Sequence, residues 1–123
     1  MYGIEEINRL LDEIASEFPE EIFRELNGGV SLLPDTKRSE SDPGGGLYTL
    51  GEYHRDQMGR YIVLYYGSIR IVHGCDPHEQ LRDSLKKILA HELTHHLESL
   101  AGDRELEKTD EMDLDEYLRI RNP

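Results

Sequence analysis

The strongest constraint on this chain is one unbroken helical pattern running from Asp76 to Gly102. Asp76-Pro77-His78-Glu79 places an acid at the N-cap, proline in the first turn and glutamate at the capping-box position, which together start a helix at about residue 77. Leu81, Leu85, Ile88, Leu89, Leu93, Leu97 and Leu100 then recur at three- and four-residue steps up to Ala101-Gly102, where glycine is the expected terminator. The chain has 123 residues, enough for a single compact domain over 1–123 and too few for two, so this long apolar helix has to form its centre.

The other segments fall around it. Ile4, Ile7, Leu10, Leu11, Ile14 and Phe18 keep helical spacing and predict an amphipathic first helix, with Pro19 opening a second short one that Asn27-Gly28-Gly29 stops. A short apolar piece, Val30 to Leu33, leads into a polar stretch from Pro34 to Gly46 that reads as a surface loop. Leu47 to Tyr53 alternates like a strand, and the β-rich runs YIVLYY and IRIV, separated by Gly67-Ser68, predict a hairpin with a type II′ turn. A last helix is expected from Thr109 or Asp110 to Ile120. The expected architecture is α+β, a small, mostly antiparallel sheet packed on helices.

Charge and composition exclude several functions. With 14 Lys+Arg against 26 Asp+Glu the formal net charge is −12, which opposes binding to nucleic acid or anionic lipid; basic or neutral partners suit it better. Cys75 is the sole cysteine, so there is no internal disulfide framework and no Cys-x-x-Cys pair, as suits a reducing compartment. The acidic N-terminus lacks the basic region and apolar run of a signal peptide, and no 18-residue apolar stretch is present. The expectation is a cytoplasmic protein with no membrane partner.

The chemistry lies inside the long helix, where His91-Glu92-Leu93-Thr94-His95 reads H-E-x-x-H. Residues four apart stack on one helical face, so His91 and His95 can offer two imidazole nitrogens to one zinc ion at about 2.0–2.1 Å. Glu92 stands beside that face, placed to take a proton from water without occupying a coordination position. His96 projects about 100° away, toward the apolar side, as a packed and hydrogen-bonded residue. His54, His73 and His78 read as loop histidines, His73 at the end of a strand near the cleft. Tyr65, Tyr66 and Tyr117 are core tyrosines with hydroxyls at the rim, any of which could stabilise an oxyanion. Cys75 has no matched base and is no nucleophile.

These residues, together with HELTHHLESLAG, YIVLYYG and PEEIFRELNGG, resemble the zincin metallopeptidases, and within them a small bacterial family of zinc-dependent proteases with a minimal zincin domain. The resemblance implies a twisted sheet packed on the zinc helix, an edge strand along the cleft, one bound Zn²⁺, and a peptide or unfolded protein segment as substrate. It also implies the longer pattern H-E-x-x-H-x-x-G-x-x-D, from which this chain departs: Glu98 stands at the glycine and Ala101 at the aspartate. Asp103, just after Gly102, is then the candidate third ligand, with Glu98 and Glu105 as rivals. On an unbroken helix Glu98 lies about 10 Å along the axis from His91, too far for all three to converge, which makes it a partner orienting His95 or a surface acid. The competing reading is a scaffold of the same fold that binds partners without turnover, or works only with one.

Overall fold

The structure is a computed structural model that describes residues 2–39 and 47–103. Its elements in chain order are α1 (Ile4–Ala15), a 3-10 turn (Glu20–Phe23), β1 (Val30–Leu33), β2 (Lys37–Arg38), β3 (Tyr48–Thr49), β4 (Gly51–Asp56), β5 (Gly59–Tyr65), α2 (Tyr66–His73) and α3 (His78–Asp103). The class is α+β, as the sequence predicts.

The periodic segments fold as their patterns require. In α1 the residues Ile7, Leu10, Leu11 and Ile14 are buried, and Glu5 and Glu6 sit in the first turn, where the positive end of the helix favours them. Pro19 precedes the 3-10 turn, and Phe18, Ile22 and Leu26 continue the buried stripe beyond α1. Leu81, Leu85, Leu89 and Leu93 of α3 are essentially inaccessible and close the same core with Ile62, Leu64 and Ile69. Burial of each such side chain stabilises the fold by about 1.5–3 kcal/mol, which accounts for a helix this long in so small a protein.

The sheet departs from expectation in two ways. Its main part has strand order β1-β5-β4, and β1 runs parallel to β5 in the register Val30↔Ile62 to Leu33↔Tyr65, so this sheet is mixed rather than mostly antiparallel. The hairpin also lies elsewhere. β4 and β5 form it, pairing Gly51↔Leu64 through Asp56↔Gly59, with Asp56 Oδ1 accepting from the Met58 amide at 2.8 Å in the turn. IRIV, predicted as a strand, belongs to α2.

Contacts distant in sequence explain α2. The Gly67 amide donates to Asp35 O at 3.0 Å, and a side chain there would collide with Thr36 Oγ1. Ser68, fully buried, accepts through Oγ from the Lys37 amide at 2.8 Å and donates to the Lys37 carbonyl at 3.2 Å. These bonds tie the segment around β2 to the first turn of α2 and override the β-propensity of Ile69, Ile71 and Val72. The antiparallel pair β2 and β3 forms a separate two-stranded piece. The helix predicted from Thr109 or Asp110 to Ile120, with Tyr117, lies outside the described residues.

No helix among the described residues is long and apolar enough to cross a membrane.

Candidate functional site

α3 packs against β4 and β5, and this contact presents the H-E-x-x-H face to a cleft. Among the described residues β4 pairs only with β5, so its other edge borders that cleft. The cleft has two adjoining lobes sharing Gly51, His91 and Glu92. One, of about 730 Å³, is bordered by Glu52, His54, Arg55 and Glu98. The other, of about 440 Å³, is bordered by Thr49, Leu50, Ile88 and Lys87.

His91 and His95 sit on consecutive turns and their rings converge. Their Nε2 atoms are 3.2 Å apart, with ring centroids at 4.6 Å and planes at 84°. Two nitrogens bound to one tetrahedral zinc at 2.0–2.1 Å stand about 3.3 Å from each other. The spacing therefore fits a shared ion as well as it fits a direct N–H···N bond. On its far side, His95 Nδ1 lies 3.2 Å from Glu98 Oε1. Both histidines reach solvent in the cleft.

Glu92 is only 6% exposed, yet makes no hydrogen bond among the described residues. No fully buried side-chain oxygen among those residues lacks a partner, so its carboxylate oxygens keep contact with the cleft. Burial pushes its pKa above the ordinary carboxylate value, against the opposing pull of His91 and His95. A poorly solvated carboxyl takes up a proton more readily than one in water. Gly51 makes the close approach of strand and helix possible. A Cβ there would lie 2.6 Å from Leu64 Cδ2, 3.3 Å from Ile88 Cγ2 and 3.4 Å from Glu92 Cγ.

Asp103, the candidate third ligand, stands at the very end of α3. α3 continues through Gly102 to Asp103 without a break, which sets the Asp103 Cα about 12 Å along the axis from that of His95. The side chain of Asp103, and Glu105 altogether, lie outside the described residues. Among the described residues no three His, Cys, Asp or Glu side chains group closely enough to hold one ion. His91 and His95 have the chemistry and spacing of two metal donors, and no third is grouped with them among the described residues.

The remaining histidines resolve differently. His96 is fully buried, with Nε2 2.8 Å from the Arg24 carbonyl and Nδ1 2.9 Å from the Tyr53 hydroxyl. Nε2–H donates, Nδ1 accepts, and burial holds the ring below its ordinary pKa despite the bond to Arg24. It is the packed residue its position on the helix predicts. His73 ends α2 rather than a strand, with Nδ1 2.9 Å from Asp76 Oδ2, and His78 starts α3 beside the ring of Tyr2. Cys75 is exposed between the two helices.

Sequence reasoning overlooked one polar cluster on β4. Glu52 accepts from Lys37, from the Tyr65 hydroxyl at 2.6 Å and from His54 Nε2 at 3.1 Å. Burial alone would raise the Glu52 pKa, but these donors outweigh it and bring it below the ordinary value. Tyr65 is thereby committed to Glu52, and Tyr66 donates to the Tyr2 carbonyl at 2.6 Å. The only available sequence signal was the two-residue spacing of Glu52 and His54, which puts both on one face of a strand.

No family model matches the chain, and no curated protein matches it. Among solved structures it is similar to a conserved hypothetical protein from Thermo thermophilus, with a TM-score of 0.71 and 35% identity over 82% of this chain and 99% of the other. That identity, spread over nearly the whole of the other chain, establishes that this protein belongs to the same family as the Thermo thermophilus protein.

Proposed function

We propose that this protein is a zinc-dependent metallopeptidase of the minimal zincin kind, hydrolysing peptide bonds in peptides or unfolded protein segments. One observation carries the reading: two imidazole nitrogens 3.2 Å apart on one helical face, next to a buried carboxylate that has no hydrogen-bond partner among the described residues. His91 and His95 are the donors for zinc. Asp103, at the end of α3, is the candidate for the third position and would join them with the last turns of the helix opened; Glu98 and Glu105 are its rivals. When bound, zinc supplies Lewis acidity toward water and toward the peptide carbonyl.

Glu92 accepts the proton of the attacking water and returns it to the leaving amine, a task that its raised pKa suits. The open edge of β4 binds the main chain of an extended peptide by adding it as a further strand, and the two lobes on either side of His91 and Glu92 receive its side chains. Leu50 and Ile88 give one lobe an apolar floor; Glu52, His54 and Glu98 give the other a polar rim.

The test combines zinc content with cleavage of a mixed peptide library followed by mass spectrometry. Wild type is expected to hold about one zinc and to cleave; Glu92→Gln is expected to hold zinc and lose about 10²–10⁴-fold in rate. Zinc retained without cleavage by wild type under every condition overturns the peptidase reading in favour of a non-catalytic scaffold. Absence of zinc from wild type overturns the metal itself.

A further inference from the structure

At the position where the zincin resemblance implies a helix-breaking glycine, this chain has Glu98, and α3 runs straight through it. We infer that Glu98 is a positioning residue: its carboxylate fixes the ring proton of His95 on Nδ1, leaving the Nε2 lone pair aimed at His91 and ready for a divalent cation. The inference rests on the metal reading above.

Glu98 Oε1 lies 3.2 Å from His95 Nδ1, three residues back on the same helix face. An ionised carboxylate only accepts hydrogen bonds, and a neutral imidazole carries one N–H, so this contact selects the tautomer protonated on Nδ1. Nε2 is then an acceptor, and it is the atom 3.2 Å from His91 Nε2. Glu98 acts through the ring, since it meets the nitrogen facing away from the convergence point.

His91 has no such partner for its other nitrogen among the described residues. The two histidines are therefore unequal. In the metal-free protein the His91 Nε2–H donates to His95 Nε2. Before both lone pairs can face one cation, His91 has to give up that proton to solvent and take one at Nδ1, with no net change in protonation. His95 is already set. A carboxylate behind a metal-binding histidine typically changes metal affinity 10–100-fold, and a glutamate on an intact helix supplies one without a turn.

The experiment follows the His91 and His95 tautomers of the ¹⁵N-labelled metal-free protein and measures zinc affinity by chelator competition. Glu98 is 63% exposed at its side chain, and alanine favours helix, so Glu98→Ala should fold as wild type does. Wild type is expected to show His95 protonated on Nδ1 and His91 on Nε2. In Glu98→Ala the His95 tautomers should mix and zinc affinity fall about 10–100-fold. Glu98→Gln, whose amide oxygen still accepts, should lie between. Unchanged tautomers, or unchanged affinity, in Glu98→Ala overturns the inference. If wild type takes up no zinc, the metal reading fails on its own account, and the metal-free tautomers still decide whether Glu98 sets His95.

Discussion

His91 and His95 hold their Nε2 atoms 3.2 Å apart on successive turns of α3. Two nitrogens at that distance cannot both carry a proton, so the pair needs either one shared hydrogen or one shared cation. Everything expected of this protein on metal binding follows from that choice.

Zinc should raise the thermal midpoint of the wild-type protein, because an ion that binds only the folded state stabilises it by about 2.7 kcal/mol when its free concentration is a hundred times Kd. In His91→Ala and His95→Ala the shift should disappear, and a chelator should reverse it in wild type. Differential scanning fluorimetry with and without zinc measures this; an equal shift in all three proteins would place the ion elsewhere.

Gly51→Ala should damage both stability and turnover. The added methyl meets Leu64 at 2.6 Å and crowds Ile88 and Glu92, at a cost of about 1–3 kcal/mol in urea denaturation. Peptide cleavage should fall about tenfold or more through the displaced Glu92 while zinc stays bound. Wild-type cleavage in this variant would mean that strand and helix can separate without moving the carboxylate.

Glu52 should stabilise the fold in a pH-dependent way. Its folded-state pKa lies below the ordinary Glu value of about 4.3, because Lys37, Tyr65 and His54 outweigh its burial. The contribution is therefore complete above that value and fades as pH falls through the folded-state pKa. Glu52→Gln should be less stable than wild type by about 1 kcal/mol at pH 7, and the gap should narrow as pH falls toward about 3. A gap that stays constant between the two pH values would deny Glu52 this role.

Tyr53→Phe should cost about 1 kcal/mol by removing the hydroxyl that donates to His96 Nδ1. His96→Leu should cost more, about 1–3 kcal/mol, since Arg24 O loses its donor as well. Neither change touches the cleft histidines, so zinc binding should persist in both. Equilibrium unfolding paired with a zinc titration separates these effects.

The sequence revealed α3 and its histidine pair because both depend on local spacing: leucines every three or four residues, and imidazoles four apart on one face. The depth of Glu92 was less visible, as it depends on Gly51 letting β4 approach. YIVLYYGSIRIV misled because its β-branched residues are genuine strand formers, while the bonds that turn its second half into α2 come from Asp35 and Lys37, some thirty residues earlier. The parallel pairing of β1 with β5 is hidden for the same reason: no short-range signal records which strands meet. Glu52 and His54 became neighbours of the histidine pair only once β4 was placed at the sheet edge.

That edge also governs how copies of the molecule behave toward one another. Among the described residues β4 is paired along one side only, and such an edge offers a rim that an identical molecule would lengthen, covering the cleft as it did so. The formal charge of −12 works against such stacking at low ionic strength, and concentrated salt screens the repulsion away. High protein concentration in strong salt is therefore the condition under which this protein should occlude itself, and dilution into weak buffer the condition that keeps the rim free for other extended chains.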